Sequence, residues 1–336
     1  MKYFNYGEPL NLECGAVLPE LTVGYHTYGT LNEDKSNVVW ICHALTANSD
    51  VADWWKGLVG QGYLLNPEKY FIVCANILGS CYGTTGPLST DPRTGQPYYH
   101  NFPLITIRDM VTAHDLLRSH LGIEKIHLLV GGSMGGYQAL EWCMMKPDRI
   151  DQLFLIATSA HESPWGIAIH TAQRLAIEAD CSWNENNDKA GQKGLKAARA
   201  IGMLTYRHYQ TYALTQSETN HSKIDNFKAS SYINYQGEKL VNRFNAYSYW
   251  YLTKSMDSHN VARGRSESIE AALEMIKQKT LVIGINNDIL CPLVELQMIA
   301  EHIPDATFYS IDSNYAHDGF LIETRQISEI LGSWLG

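Results

Sequence analysis

Lys125 to Lys146 reads KIHLLVGGSMGGYQALEWCMMK. Ile126 to Val130 is an apolar run too short for two helical turns, whereas Ala139, Leu140, Cys143 and Met144 recur at helical spacing. Between them stands Gly131-Gly132-Ser133-Met134-Gly135, a G-x-S-x-G turn that would hold the serine hydroxyl above the end of a sheet. A Cβ on either flank would collide where the chain reverses so sharply, which accounts for the glycines. The helix that follows brings unpaired N–H groups and the positive end of its dipole to the serine, where a developing oxyanion would sit. The competing reading is a glycine-rich strand-to-helix turn with an incidental serine, so the rest of the chain has to decide.

Outward from this turn, Glu20 to Tyr28 alternates as a half-buried strand. Asn37 to His43, Tyr70 to Ala75, Leu153 to Ala157, Thr280 to Ile285 and Thr307 to Ile311 have strand character, and Thr106 to Leu121 has helical periodicity. Strands separated by helices predict an α/β fold with a mostly parallel sheet covered on both faces. From His161 to Lys277 there are helical patterns, chiefly Trp165 to Ala179, Gly191 to Arg207 and Gln236 to Met256, with a polar connection at Thr215 to Asn226 and no convincing buried strand. The expected organisation is a core of residues 1–160 and 278–336, with residues 161–277 inserted as a helical lid. Such a lid over the carboxyl ends of the strands would roof Ser133 and exclude water.

The 336 residues carry a formal net charge of -9 and an isoelectric point near 5.8, which argues against a nucleic-acid-binding surface but leaves room for a local basic pocket. Seven cysteines without a C-x-x-C, and no cluster such as H-E-x-x-H, predict reduced thiols and no bound metal. The start, MKYFNYGEPL, has no signal-type apolar region, and no run approaches the roughly 18 apolar residues of a membrane span. A cytoplasmic protein free of the membrane is expected.

A serine hydroxyl is a weak nucleophile and needs a base to take its proton, with a third group to hold that base. Asp288 follows TLVIGI directly, in GINNDIL, and His317 follows the run ending at Ile311, in DSNYAHDGF. Taken singly, Asp288 could cap the helix that begins near Pro292 and His317 could be a surface-loop histidine. Both lie at strand ends, in the order Ser133, Asp288, His317, and this is the order of the α/β-hydrolase triad. The oxyanion site should then use the N–H of Met134, next after the nucleophile, and that of Leu45 in the loop His43-Ala44-Leu45-Thr46.

With these residues in hand, the chain resembles, nearly end to end, the homoserine O-acyltransferases of methionine biosynthesis, α/β-hydrolase-fold enzymes of the homoserine O-acetyltransferase type. The segments that carry the resemblance are YHTYGTLN from Tyr25, HALT from His43, NILGSCYGTTGP from Asn76, FPLITIRDMV from Phe102, GGSMGGYQALEW from Gly131, RFNAYSYWYL from Arg243 and HDGFL from His317. The resemblance implies ping-pong transfer of an acetyl group from acetyl-CoA, through Ser133, to the hydroxyl of L-homoserine. It also implies a homodimer with no permanently bound cofactor. Arg199 and Tyr206, in GLKAARAIGMLTYR, would hold the homoserine carboxylate, and Asp318 the amine. A rigid fork of N–H donors suits a carboxylate. Without the resemblance, Arg199 reads as a solvated helix face, Tyr206 as core packing and Asp318 as a loop cap. Succinyl-CoA as donor, L-serine as acceptor, ester hydrolysis and a non-catalytic receptor stay open.

Lys189 to Arg207 carries five basic residues and no acid. Lys193, Lys196 and Arg199, spaced by three, would share one helix face, and the two lysines could form a basic rim that attracts coenzyme A; the alternative is a solvated lysine face. Three positions depart from the family pattern. Ala47-Asn48 after HALT and Ala316 before His317 stand where glycine is usual, and Cys291 stands where an aromatic is common. Alanine at a positive φ would strain its loop.

Overall fold

The computed structural model describes residues 1–336. Eight strands form its main sheet: β1 Lys2–Tyr6, β2 Leu21–Tyr28, β3 Val38–Cys42, β4 Phe71–Ala75, β5 Ile126–Gly132, β6 Ile150–Ile156, β7 Lys279–Ile285 and β8 Ala306–Ile311. Their spatial order is β1-β2-β4-β3-β5-β6-β7-β8. Strand β2 runs antiparallel to both neighbours, and every pairing from β4 to β8 is parallel. The longer helices are α1 Ile107–His120, α2 Met134–Met145, α3 Pro164–Glu178, α4 Gln192–Tyr206, α5 Tyr209–Gln216, α6 Lys228–Val241, α7 Ala246–Asp257, α8 Leu293–His302 and α9 Thr324–Leu335.

The period of two along each strand divides the core. In β3, Val38, Trp40 and Cys42 face one apolar layer, while Val39 and Ile41 face the other. Helix α2 buries Ala139, Leu140, Trp142 and Cys143 in the first layer, and α9 buries Ile327 and Leu331 in the second. A parallel sheet covered in this way leaves the carboxyl ends of its strands as the place where loops converge. Ser133, Asp288 and His317 all follow such ends.

Between β6 and β7 the chain adds helices α3 to α7 and no strand to the main sheet. Helix α4 packs between α3 and α6 and touches the Ala316–Asp318 turn, so it lies over His317.

Three elements differ from expectation. Strand β1 carries no apolar run, since Phe4 alone is buried in it, and it pairs at the sheet edge. The helix expected over Gln236 to Met256 is two helices, because the Asn245 side chain accepts the N–H of Ser248 and starts α7 afresh. Helix α5 lies between the expected helices, and its last two residues, Thr215 and Gln216, fall in the expected polar connection. All seven cysteines are free, and no helix is long and apolar enough to cross a membrane.

Candidate active site

Ser133 ends the turn from β5 with φ 54° and ψ -129°, a backbone region that residues with a Cβ seldom occupy. Hydrogen bonds on both sides hold it there. Its N–H donates to the Ile156 carbonyl at 3.1 Å, and its carbonyl accepts Gly136 N–H and the Thr158 hydroxyl, both at 2.8 Å. A Cβ on Gly135 would overlap the Cys42 carbonyl, and one on Gly131 would overlap the backbone of Gly135. Close approach of α2 to β3 and β5 therefore requires the glycines that frame the serine.

His317 lies in the turn after β8 and is buried. Its Nδ1–H donates to Asp288 Oδ2 at 2.7 Å, and the Ser133 hydroxyl donates to its Nε2 at 2.9 Å. A carboxylate can only accept, so the proton sits on Nδ1 and Nε2 is left as the acceptor. Burial alone would favour neutral imidazole. The charge and hydrogen bond of Asp288 outweigh it, and the pKa is raised above the usual 6.5. The other Asp288 oxygen accepts the N–H groups of Leu290 at 2.8 Å and Cys291 at 3.0 Å. Helix α8 begins at Leu293 behind Pro292, so Asp288 is not its cap. The Cys291 thiol beside this carboxylate is buried, and burial together with the Asp288 charge keeps it protonated.

The loop after β3 is held from inside. Ile77 N–H donates to His43 Nε2 at 3.1 Å, which places the His43 proton on Nδ1, and this donates to the Ala44 carbonyl at 2.8 Å. Ala47 N–H reaches the same carbonyl at 3.0 Å. The Ala44 carbonyl and the Leu45 N–H belong to one planar peptide unit, so fixing the first aims the second the opposite way. Leu45 N–H donates to no backbone or side-chain acceptor, and Leu45 and Ser133 line the same cleft. Met134 opens α2, so its N–H is one of the donors a helix leaves without an intrahelical acceptor. Gln138 joins the two sides, its Nε2 donating to the carbonyls of His43 at 3.1 Å and Met134 at 3.2 Å.

The cleft above Ser133 has a volume of about 380 Å³. Arg199, Tyr206 and Asp318 line it. The Arg199 guanidinium lies 5.2 Å from the centre of the Tyr206 ring, which itself stacks 6.0 Å from the His317 ring. Arg199 Nε is buried and bonds to nothing. Burial raises the Tyr206 pKa, against the opposing charge of Arg199. Asp318 is already engaged, accepting from Arg207 Nε at 3.0 Å.

Lys193 and Lys196 are not among the residues lining this cleft, and Lys196 pairs with Glu238 at 2.6 Å. The acid-free run in the sequence is thus neutralised in part from α6. The further cations at the cleft are Lys239 and Arg243, which sequence reading missed. Arg243 opens the RFNAYSYWYL segment, which was its only signal, and Lys239 lies outside it. Of the three departures from the family pattern, Ala316 takes a positive φ of 50°, whereas Ala47 and Asn48 do not.

The topology and the hydrogen-bonded Ser-His-Asp array define a protein of the α/β-hydrolase fold, and residues 37–324 match the family model described as alpha/beta hydrolase fold. The chain is 50% identical to the homoserine O-acetyltransferase of Cyclobacterium marinum over 327 residues, covering 97% of this chain and 93% of that one. The crystal structure of homoserine O-acetyltransferase from Bacillus anthracis superposes with a TM-score of 0.92 at 25% identity, covering 100% of this chain and 97% of the other. An acetylester hydrolase from Corynebacterium glutamicum superposes with a TM-score of 0.87, also at 25% identity, over 99% and 95% of the two chains. This chain belongs to the homoserine O-acetyltransferase family.

Proposed function

We propose that this protein transfers an acetyl group from acetyl-CoA to the side-chain hydroxyl of L-homoserine, a cytoplasmic step of methionine biosynthesis, through an acetyl-Ser133 intermediate. His317 Nε2 takes the Ser133 proton as Oγ attacks the thioester carbonyl, and Asp288 stabilises the resulting imidazolium. The N–H groups of Leu45 and Met134 receive the oxyanion. Collapse breaks the C–S bond, and His317 returns the proton to the departing thiolate. The homoserine hydroxyl then gives its proton to His317 and attacks the acetyl carbonyl; Ser133 leaves and is reprotonated. The helical segment 161–277 serves as the lid, with Arg199 and Tyr206 holding the acceptor carboxylate and Asp318 near its amine.

The observation that carries this reading is Arg199. A buried guanidinium nitrogen without a partner, in the cleft that ends at Ser133, is a costly arrangement unless an anion completes it. Homoserine brings a carboxylate on the same small molecule as its hydroxyl. The family name of the relatives supports the same acceptor.

Thiol release from acetyl-CoA, followed with and without homoserine and combined with intact-mass measurement, tests the proposal. Wild type should carry an acetyl adduct that homoserine discharges, and Ser133→Ala should carry none. Ester hydrolysis is the second reading, favoured by the fold match to the acetylester hydrolase. On that reading water would discharge the adduct as fast as homoserine does.

The homodimer is supported by exposed apolar side chains on the helical segment, Tyr209, Leu214, Ile224 and Tyr235. Sedimentation of the purified protein measures it.

A further inference from the structure

Arg243 sits where α6 gives way to α7, within the helical segment, yet its side chain reaches back to the core. Its Nη1 donates to the Thr46 carbonyl and to the Tyr82 hydroxyl, joining residues 197 and 161 positions apart in sequence. The neighbouring backbone is anchored on the same side: Cys81 Sγ donates to the Arg243 carbonyl at 3.6 Å, and the buried Phe244 ring meets the Tyr82 ring edge-on at 5.7 Å. Arg243 forms no ion pair and stays exposed in the cleft. The bonds to Thr46 and Tyr82 are therefore the polar contacts that fix its guanidinium.

Thr46 directly follows Leu45. His43 holds the Ala44–Leu45 peptide from within the core, as described above, and beyond the turn the Asn48 carbonyl accepts from Trp54 Nε1 at 2.7 Å and Cys74 Sγ at 3.9 Å, but the Thr46 carbonyl between these anchors is bonded to Arg243 alone. Thr46 lies outside every strand and helix, and its carbonyl points to the arginine of the helical segment. We infer that Arg243 is a positioning residue that clamps the oxyanion loop from the side of the helical segment, so that the aim His43 gives to Leu45 N–H is steadied at Thr46 while that segment is seated. The inference rests on the assignment of Leu45 as an oxyanion donor. It adds a coupling between lid and chemistry that the triad does not contain. A guanidinium suits this task because it stays charged and is planar, so one nitrogen can serve two acceptors in a fixed geometry.

The test uses full-length protein and two acyl donors. With p-nitrophenyl acetate, Arg243→Ala should lower kcat on the order of 10- to 100-fold, somewhat less than deletion of a whole oxyanion donor. KM should change little. A boronic acid that adds to Ser133 as a tetrahedral anion should lose affinity by about the same factor as kcat/KM falls, because both report the oxyanion. Arg243→Lys, or guanidinium ion added to Arg243→Ala, should recover part of kcat.

A raised KM with unchanged kcat would overturn the inference and make Arg243 a substrate-binding residue. A fall in kcat that leaves boronate affinity untouched, or that comes with a lowered Tm and no guanidinium rescue, would also overturn it. Failure of wild type to acetylate from acetyl-CoA, with p-nitrophenyl acetate still turned over, would sink the proposed donor while leaving the Arg243 result to stand by itself.

Discussion

The side-chain amide of Gln138, on the helix behind the serine, donates to the carbonyl of His43 at 3.1 Å. The same nitrogen reaches the Met134 carbonyl at 3.2 Å, so one buried group ties the two backbone segments that carry the proposed oxyanion donors. Gln138→Met keeps the length and removes the donor. The expected result is a loss of about 1–3 kcal/mol in stability and roughly tenfold in kcat. Homoserine KM should be little affected. A variant with full kcat would show that the walls hold their spacing without this tie.

The pH dependence of acylation follows from His317. Nε2 must be unprotonated to accept the Ser133 proton, and the imidazole pKa is raised above 6.5. The acid limb of kcat/KM should therefore turn over above pH 6.5, with activity rising as pH rises through it. Asp288→Asn removes the charge that raises this pKa and misorients the ring, so the limb should move to lower pH while the rate falls by about four orders of magnitude. Retention of most activity would point to another acid. Asp312 would be first to examine, although its Oδ1 is bound to Asn286 Nδ2 at 2.7 Å.

Stability should show a different pH dependence, set by three buried histidines. Burial pushes His43 down to about 4 and His114 and His259 to about 3. Between the unfolded value near 6.5 and these folded values, the unfolded chain binds protons that the folded chain refuses, so stability falls as pH drops. Each histidine can contribute up to about 1.4 kcal/mol per pH unit in that window. His317 has the opposite sign: its raised pKa adds stability that is complete below 6.5 and is lost as pH rises through the folded value. Urea unfolding from pH 7 to 5 measures the slope. His114→Leu should flatten it, since both ring nitrogens of His114 lack partners and no bond is forfeited. A slope unaffected by that substitution would contradict the assignment.

Much of the site was legible in the sequence because its signals are local. Gly131 and Gly135 announce the tight turn around Ser133, and Asp288 and His317 each follow a strand in the right order. The sheet was legible wherever both faces are buried, as in β3, and illegible in β1, where Phe4 alone is buried. The lid was harder. Asn245 restarts a helix by a side-chain cap inside an apolar pattern that reads as continuous. The partners of Lys196 and Arg243 come from chain segments 42 and more than 160 positions away, and no periodicity encodes such a return. The lysine face therefore looked free when Glu238 of α6 was waiting for Lys196.

Ala316 is where this chain departs from the family pattern at a structural cost. It is fully buried at φ 50°, immediately before His317. A non-glycine residue in this region costs about 1–3 kcal/mol, and glycine would relieve most of that while giving back about 0.5–1 kcal/mol in chain entropy. Ala316→Gly should thus be neutral to stabilising by up to about 1 kcal/mol, where glycine for a buried alanine ordinarily destabilises. Ala316→Val, adding a branched Cβ at the same φ, should lose about 2 kcal/mol or more. Denaturant midpoints for the pair decide it; a destabilised glycine variant would mean that the alanine methyl contributes more through packing than it costs in strain.

Arg199 provides the sharpest separation of the two half-reactions. Lys196 and Arg207, on either side of it, are paired with Glu238 and Asp318, while Arg199 Nε is buried without an acceptor. Its guanidinium is held against the Tyr206 ring. If it receives the homoserine carboxylate through a two-pronged contact, Arg199→Lys keeps the charge and loses the fork. A charge-assisted bond of this kind contributes about 1.5–3 kcal/mol, so kcat/KM for homoserine should fall by about 10- to 100-fold. Formation of acetyl-Ser133 from acetyl-CoA, in which no homoserine takes part, should stay within about threefold of wild type, a change below 1 kcal/mol. Single-turnover intact-mass kinetics measures both rates in one experiment, first adduct formation and then its decay on adding homoserine. Equal losses in the two rates would assign Arg199 to the donor or to the seating of α4 and would remove it from the acceptor site.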